Sequence, residues 1–214
     1  MSNRNINNYA KQALDAKRLF MQRDQSKIIL RSGINLDEDY IRIVFFSNTY
    51  KVNRTDGEVT FDTDGKKADY NAVMVIYDLL CNSKANATLS GQWSLVENLS
   101  FHSNFGTKDE NYYSPAAGHF TGQLDALKKA CECLGGFATG KADAGYLFNA
   151  FSFMPMIFQF WEGDDEFSPR VSFLFDKNTL DYICFESAWF VAAHLVELIL
   201  EQMGTEVNMG LYGR

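Results

Sequence analysis

Four acidic residues fall within five positions near the middle of the segment MPMIFQFWEGDDEFSPRVSFLFD, which spans Met154–Asp176. They separate two apolar, aromatic-rich runs, and they are Glu162, Asp164, Asp165 and Glu166. Two such runs on either side of a short polar segment predict a β-hairpin with an acidic turn. Because successive side chains of a strand point to opposite faces, these carboxylates can converge only in a turn.

Carboxylates that converge repel each other, and a hard cation such as Mg²⁺ or Ca²⁺ relieves that repulsion. The candidate metal ligands are therefore Asp164, Asp165 and Glu166, with Asp176 across the hairpin as a further oxygen donor. The alternative is that Asp165 or Glu166 accepts hydrogen bonds from turn amides or pairs with Arg170, while the others point into water. For Asp176, the alternative role is to cap the helix that follows.

Two further candidates, Glu186 and His194, lie in a C-terminal segment with helical periodicity. Their side chains are about 80° apart around a helix axis. Histidine titrates near neutrality, so this pair is a candidate for proton transfer. The alternative is a hydrogen-bonded core histidine, because the neighbours of His194 are Ala192, Ala193, Leu195 and Val196.

Aromatic residues are concentrated in residues 101–113 and 146–175, the second of which contains Trp161. Side chains of this kind could form an aromatic-walled cleft for a flat organic ligand, with the acidic turn at its rim. They could equally fill the core behind the sheet.

The elements that must position these residues show a mixture of helix and strand patterns. Hairpin-type connections without regular βαβ alternation predict a single α+β domain over residues 1–214, with a largely antiparallel sheet packed against several helices. The chain is predicted to begin with an amphipathic helix at about 6–23 that docks on the core or lies at its periphery. It continues with strands at 40–46, 49–54 and 58–61, a helix from 69 to 82 with Asp69 as its N-cap, a strand near 93–99, a helix at 114–134, the hairpin, and a helix at 186–203.

Composition excludes several classes of function. A formal charge of -7 and a pI near 5.0 argue against a nucleic-acid partner, which needs a basic surface.

The glycine-rich phosphate-binding motifs, the serine-hydrolase motif and the zinc-protease motif are not found in the sequence. The polar N-terminal segment lacks a signal-peptide pattern, and Ala188–Leu200 is too short and too interrupted by charge to cross a bilayer. We therefore expect a cytoplasmic protein without a membrane partner.

The hairpin and the C-terminal helix together resemble the signature half of an uncharacterised prokaryotic family, catalogued as domain of unknown function 3786. The residues that carry the resemblance are Pro155–Trp161, Asp164–Phe167, Leu174–Asp176, Glu186 and Trp189–Leu195. The segments Asp69–Leu80, Ser90–Trp93 and Leu134–Gly136 are similar to its other landmarks, so the resemblance covers roughly residues 40–200.

The resemblance implies no activity, because none is established for the family. Some members of the family look to be joined to a four-cysteine iron–sulphur module of the kind seen in corrinoid proteins. This arrangement implies a role in anaerobic one-carbon or redox metabolism. This sequence does not contain that module, so the resemblance implies that any cluster comes from a partner.

Together these observations predict a binding module that takes a small ligand or a protein partner through an aromatic cleft and the acidic turn near residues 161–176. One alternative is a metal-assisted enzyme, in which Asp164, Asp165 or Glu166 binds the ion and His194 or Glu186 transfers a proton. Another is an accessory subunit of a redox or corrinoid complex. The cofactor and the oligomeric state stay open.

Overall fold

The computed structural model describes residues 3–100 and 114–205 of the chain. The predicted aromatic segment 101–113 therefore lies outside the described residues. Within the described ranges the chain forms five α-helices, which are α1 (Asn3–Gln22), α2 (Tyr70–Asn82), α3 (Ser114–Phe120), α4 (Leu124–Cys133) and α5 (Phe185–Gln202).

The described strands form two antiparallel sheets. The N-terminal sheet is a meander of β1 (Ile34–Leu36), β2 (Tyr40–Phe45), β3 (Asn48–Asn53) and β4 (Val59–Phe61). The C-terminal sheet contains β5 (Trp93–Leu95), β6 (Phe137–Ala138), β7 (Ala144–Phe151), β8 (Met154–Trp161) and β9 (Arg170–Asp176), in the spatial order β5-β9-β8-β7-β6. This architecture confirms the prediction of a single α+β domain with antiparallel strands.

In the N-terminal sheet, alternate side chains of β2 and β3 face the core. Ile43 lies opposite Tyr50 in the register, and both are fully buried. A tight turn at Phe46 connects the two strands, and its backbone has a positive φ of 50°. The amide of Phe46 donates a hydrogen bond of 2.7 Å to the carbonyl of Ala150 in β7, which joins the two sheets.

The hairpin of β8 and β9 has the predicted position, and its last pair is Trp161 opposite Arg170. Strand β8 alternates between buried and partly exposed side chains, as expected for a sheet with one buried face, whereas β9 is buried on both faces along most of its length. The rings on that face are fully buried, and they are Phe158, Phe160, Phe173 and Phe175. The predicted aromatic cluster is therefore present, and these four rings pack in the core.

Helix α2 begins as predicted, since Asp69 is its N-cap and accepts a hydrogen bond of 3.0 Å from the amide of Ala72. The helix packs between α1 and α5. Phe20 in the last turns of α1 is buried and stacks on Tyr77 of α2, with ring centroids 5.4 Å apart. Leu14 on α1 is 65% exposed, so α1 contacts the core chiefly near its C-terminal end.

One prediction was wrong: residues 114–134 do not form a single helix. Helix α3 ends at Phe120, and Gly122 adopts a left-handed φ of 72° before α4 begins at Leu124. Glycine adopts this conformation without the steric strain that a Cβ atom causes. The amide of Gly122 donates a hydrogen bond of 2.6 Å to the carboxylate of Glu162, which stabilises the break. The short strand β1 was also not predicted.

Helix α5 carries most of its apolar side chains into the core, yet three polar residues share one side of it. His194, Glu197 and Glu201 follow each other at intervals of three and four residues, a spacing that places them on one helix face. No helix in the described part of the chain is long and apolar enough to cross a membrane.

Candidate functional site

A pocket of about 740 Å³ opens between the loop that precedes α2 and the C-terminal half of α5. Its volume lies within the range that is usual for small-ligand sites. We call it the α2–α5 pocket, and its walls are formed by Phe61 of β4, residues 66–71, and His194, Glu197, Leu198 and Glu201 of α5.

His194 is a buried polar side chain of this pocket, with 3% of its surface exposed. The ring of Phe45 stacks on its imidazole, with centroids 4.9 Å apart and planes inclined by 13°. Its Nε2 lies 3.3 Å from the hydroxyl of Tyr50, and its Nδ1 lies 3.3 Å from Oδ2 of Asp69. These contacts fix the ring with Nδ1 toward Asp69.

Asp69 connects the start of α2 to this histidine. Its Oδ1 accepts the capping hydrogen bond from Ala72, which leaves Oδ2 for His194. Burial alone raises the pKa of Asp69, but the interactions with His194 and the hydrogen bond from the amide of Ala72 together outweigh burial and hold that pKa below its ordinary value. Burial likewise lowers the pKa of His194, but the carboxylates of Asp69, Glu197 and Glu201 raise it above its ordinary value.

Two buried polar atoms of the pocket residues lack hydrogen-bond partners among the described residues. One is Nδ1 of His194, whose contact with Asp69 is not aligned as a hydrogen bond. The other is Oδ1 of Asn71, a residue that is 2% exposed and that donates from Nδ2 to Glu197 at 3.3 Å. A buried polar atom without a partner costs about 1–3 kcal/mol, so such atoms commonly face a ligand or an ion.

Three residues of the pocket could hold a metal ion. One donor atom each from Asp69, His194 and Glu197 lies within 4.8 Å of the other two. Two come from one face of α5 and the third from the N-cap of α2, so the packing of these two helices brings the group together.

The sequence of residues 24–198 matches the family model described as Domain of unknown function (DUF3786). The chain belongs to the DUF3786 family. The match confirms the resemblance seen in the sequence, and it includes Asp69, His194 and Glu197. No curated protein and no solved structure matches the chain.

In this DUF3786 protein the acidic turn does not line the α2–α5 pocket. Asp164 stabilises the turn, since its Oδ1 accepts hydrogen bonds from the amides of Glu166 and Phe167 at 2.9 and 2.7 Å, and these bonds lower its pKa. Asp165 is exposed, as are Asp164 and Glu166. The guanidinium of Arg170 lies over the ring of Trp161 at 5.4 Å. A metal or ligand at the turn stays a prediction.

Asp176, the last candidate on the hairpin, is 2% exposed and forms four hydrogen bonds. Its carboxylate accepts from the amide and hydroxyl of Ser90, the amide of Gly91 and the amide of Asn178. Burial alone raises the pKa of Asp176, but these hydrogen bonds outweigh burial and hold it below its ordinary value. Asp176 therefore binds the 90–91 loop to the end of β9. The helical turn that follows, Thr179–Asp181, has Asn178 as its N-cap and no side-chain capping hydrogen bond, so the alternative role of Asp176 as a helix cap was wrong.

The lowered pKa of Asp176 predicts a specific loss of stability in acid. A carboxyl group with a depressed folded-state pKa contributes its full stability above the unfolded pKa of about 3.9 and loses it as the pH falls through the folded value. We expect the stability difference between wild type and Asp176→Asn to be large at pH 6 and smaller at pH 3. Urea unfolding at both values measures this difference, and a pH-independent difference would contradict the prediction.

Glu186 is exposed in the first turn of α5 and does not line the pocket with His194. The residues that do surround His194 were not assigned to a site from the sequence, and they are Tyr50, Asp69, Asn71, Glu197 and Glu201. The sequence contained a signal for the members on α5. His194, Glu197 and Glu201 are three titratable side chains at helical spacing on a largely apolar helix.

Proposed function

We propose that this protein is a binding module that takes a small, positively charged ligand in the α2–α5 pocket. The observation that carries the proposal is the amide oxygen of Asn71, a buried acceptor without a partner in the described residues. The pocket that it lines also contains the carboxylates of Asp69, Glu197 and Glu201. A ligand with N–H donors satisfies the amide oxygen of Asn71, and a cationic centre in the ligand is attracted by the carboxylates.

The charge of the pocket favours the same class of ligand. Its two lysines are directed to carboxylates outside the pocket lining, since Lys66 pairs with Asp64 at 2.9 Å and Lys67 pairs with Glu58 at 2.8 Å. Both lysine side chains are at least 80% exposed. The lining also contains three carboxylates and one histidine, so its net negative charge attracts a cation.

The acidic turn is a separate candidate within the same general function. Binding of a ligand or partner through Trp161, Asp164, Asp165 or Glu166 stays a prediction, as does the role of an accessory subunit in a redox complex. The substitution Asp165→Asn distinguishes binding at the turn from binding in the pocket, because it removes a charge from the turn alone.

Thermal melting with added cations tests the proposal. Spermidine and agmatine represent organic cations, and Mn²⁺ and Zn²⁺ represent metal ions. A ligand at 100 times its Kd stabilises the folded state by about 2.7 kcal/mol, which raises the Tm of a chain of this size by about 5–10 °C. We expect at least one of these cations to produce such a rise, while succinate produces none.

Two substitutions on α5 are the matched controls. Glu197→Gln removes a carboxylate from the pocket and should abolish the rise in Tm, whereas Glu186→Gln removes an exposed carboxylate from the same helix and should preserve it. The proposal fails if no cation, organic or metallic, raises the Tm. It also fails if Glu197→Gln responds to the cations as the wild type does.

A further inference from the structure

We infer that the ligand of the α2–α5 pocket is a divalent first-row transition-metal ion, coordinated by Asp69, His194 and Glu197. This inference rests on the proposed function and specifies the chemical class of its ligand. It places the metal centre between α2 and α5, away from the acidic turn where the sequence had suggested one.

The distances between the donor atoms agree with coordination of a single ion. Two ligands bound at about 2.1 Å to the same metal lie about 3.0–3.4 Å apart. Nδ1 of His194 and Oδ2 of Asp69 are already 3.3 Å apart. The donor oxygen of Glu197 lies within 4.8 Å of both. The hydrogen bond from Asn71 is long at 3.3 Å, so a small rotation of the half-buried Glu197 side chain brings it to the ion.

Each of the three ligands also has a hydrogen-bond contact with a neighbouring residue. With Nε2 protonated, His194 donates to the hydroxyl of Tyr50, and the lone pair of Nδ1 is available to an ion beside Asp69. The amide of Ala72 holds Asp69, and the side chain of Asn71 holds Glu197. Partners of this kind fix the orientation of metal ligands and commonly raise metal affinity 10–100-fold.

With His194 in this tautomer, the charges of the group favour a cation near Nδ1. A nitrogen with a lone pair then lies 3.3 Å from a carboxylate oxygen, and a positive charge bound to both relieves their repulsion. A second proton, on Nδ1, removes this repulsion and makes the pair a structural ion pair. A divalent ion bound to both atoms also removes the repulsion, and it places a positive charge beside Glu197.

The donor set selects among metal ions. One imidazole nitrogen with two carboxylate oxygens suits Zn²⁺, Mn²⁺, Fe²⁺ or Co²⁺, whereas Mg²⁺ and Ca²⁺ prefer oxygen ligands alone. The remaining coordination positions face a pocket of about 740 Å³, which leaves room for water or for a further ligand.

The test is calorimetric titration of the full chain with Zn²⁺, Mn²⁺, Co²⁺ and Mg²⁺ after treatment with EDTA. We expect one equivalent of Zn²⁺ or Co²⁺ to bind, with a Co²⁺ absorption spectrum that indicates nitrogen coordination, and Mg²⁺ to bind at least 10-fold more weakly. Glu197→Gln and Asp69→Asn should each weaken the binding at least 10-fold. Asparagine is also a good N-cap, so Asp69→Asn preserves the start of α2.

Three controls make the outcomes distinct. Circular dichroism of the metal-free variants must match that of the wild type, so that a loss of binding reports on the ligands. Asp165→Asn should leave the affinity unchanged, and binding that is lost in Asp165→Asn but preserved in Glu197→Gln would overturn the inference in favour of the turn. If spermidine or agmatine raises the Tm while no metal ion binds, the metal inference fails and the proposed function stands; if no cation binds, both fail.

Discussion

The substitution Asp176→Ala is expected to lower the free energy of unfolding by about 3–4 kcal/mol, which is near the upper end for a single residue. The carboxylate is 2% exposed and accepts all four of the hydrogen bonds that join β9 to Ser90, Gly91 and Asn178 at this point. Alanine removes the acceptor of all four bonds, and a hydrogen bond to a charged group contributes about 1.5–3 kcal/mol. Because Ser90 and Gly91 are exposed, water replaces part of this contribution. Urea unfolding followed by circular dichroism measures the loss.

Asp176→Asn is the matched variant. Asparagine preserves one acceptor oxygen, but its amide nitrogen meets the N–H group of Gly91, so we expect roughly half of the alanine effect. A loss below about 1 kcal/mol for Asp176→Ala would mean that water replaces the carboxylate at the 90–91 loop.

The substitution His194→Ala should have an effect of similar size, about 3–5 kcal/mol. It removes a buried ring that stacks on Phe45, and it leaves both Tyr50 and Asp69 without the group that faces them. Thermal and urea unfolding of the metal-free protein measure this loss. A stability close to that of the wild type would show that His194 contributes little to packing.

A double-mutant cycle with Asp69→Asn separates the ion pair from the packing. If the charges of His194 and Asp69 stabilise each other, the double variant should be more stable than the sum of the single losses predicts, by about 1–2 kcal/mol. Asparagine preserves the N-cap, so the cycle reports on the pair itself. Additive losses would show that the stacking on Phe45 accounts for the whole effect.

Much of the fold could be predicted because its signals are local. The hairpin of β8 and β9 has alternating aromatic residues on both sides of a polar turn, and α2 has an aspartate directly before a helical period. The helix break at Gly122 was missed because the apolar stripe continues through it, and a single glycine inside a helical pattern is ambiguous. The structure adds what the sequence could not show, which is a carboxylate of the distant hairpin that accepts from the Gly122 amide.

The pocket could not be predicted, because its members are far apart in the sequence. Asn71 and Glu197 are in contact although 126 positions separate them. His194 was recognised as a candidate, but Asp69 had a sufficient explanation as an N-cap and Tyr50 as a strand residue. Each of these residues has a local role and a second contact that only the packing of α2 and α5 on the N-terminal sheet creates.

That second contact has a mechanical consequence. His194 is the point at which β3, the start of α2 and the C-terminal half of α5 touch one another through side chains. An ion held by Asp69 and Glu197 closes a loop that contains the entire C-terminal sheet, so the first turn of α2 cannot open without releasing the ion. Under the proposed metal binding, the two helices would unfold as one unit, and occupancy by the ion would set how often the pocket residues are released to solvent.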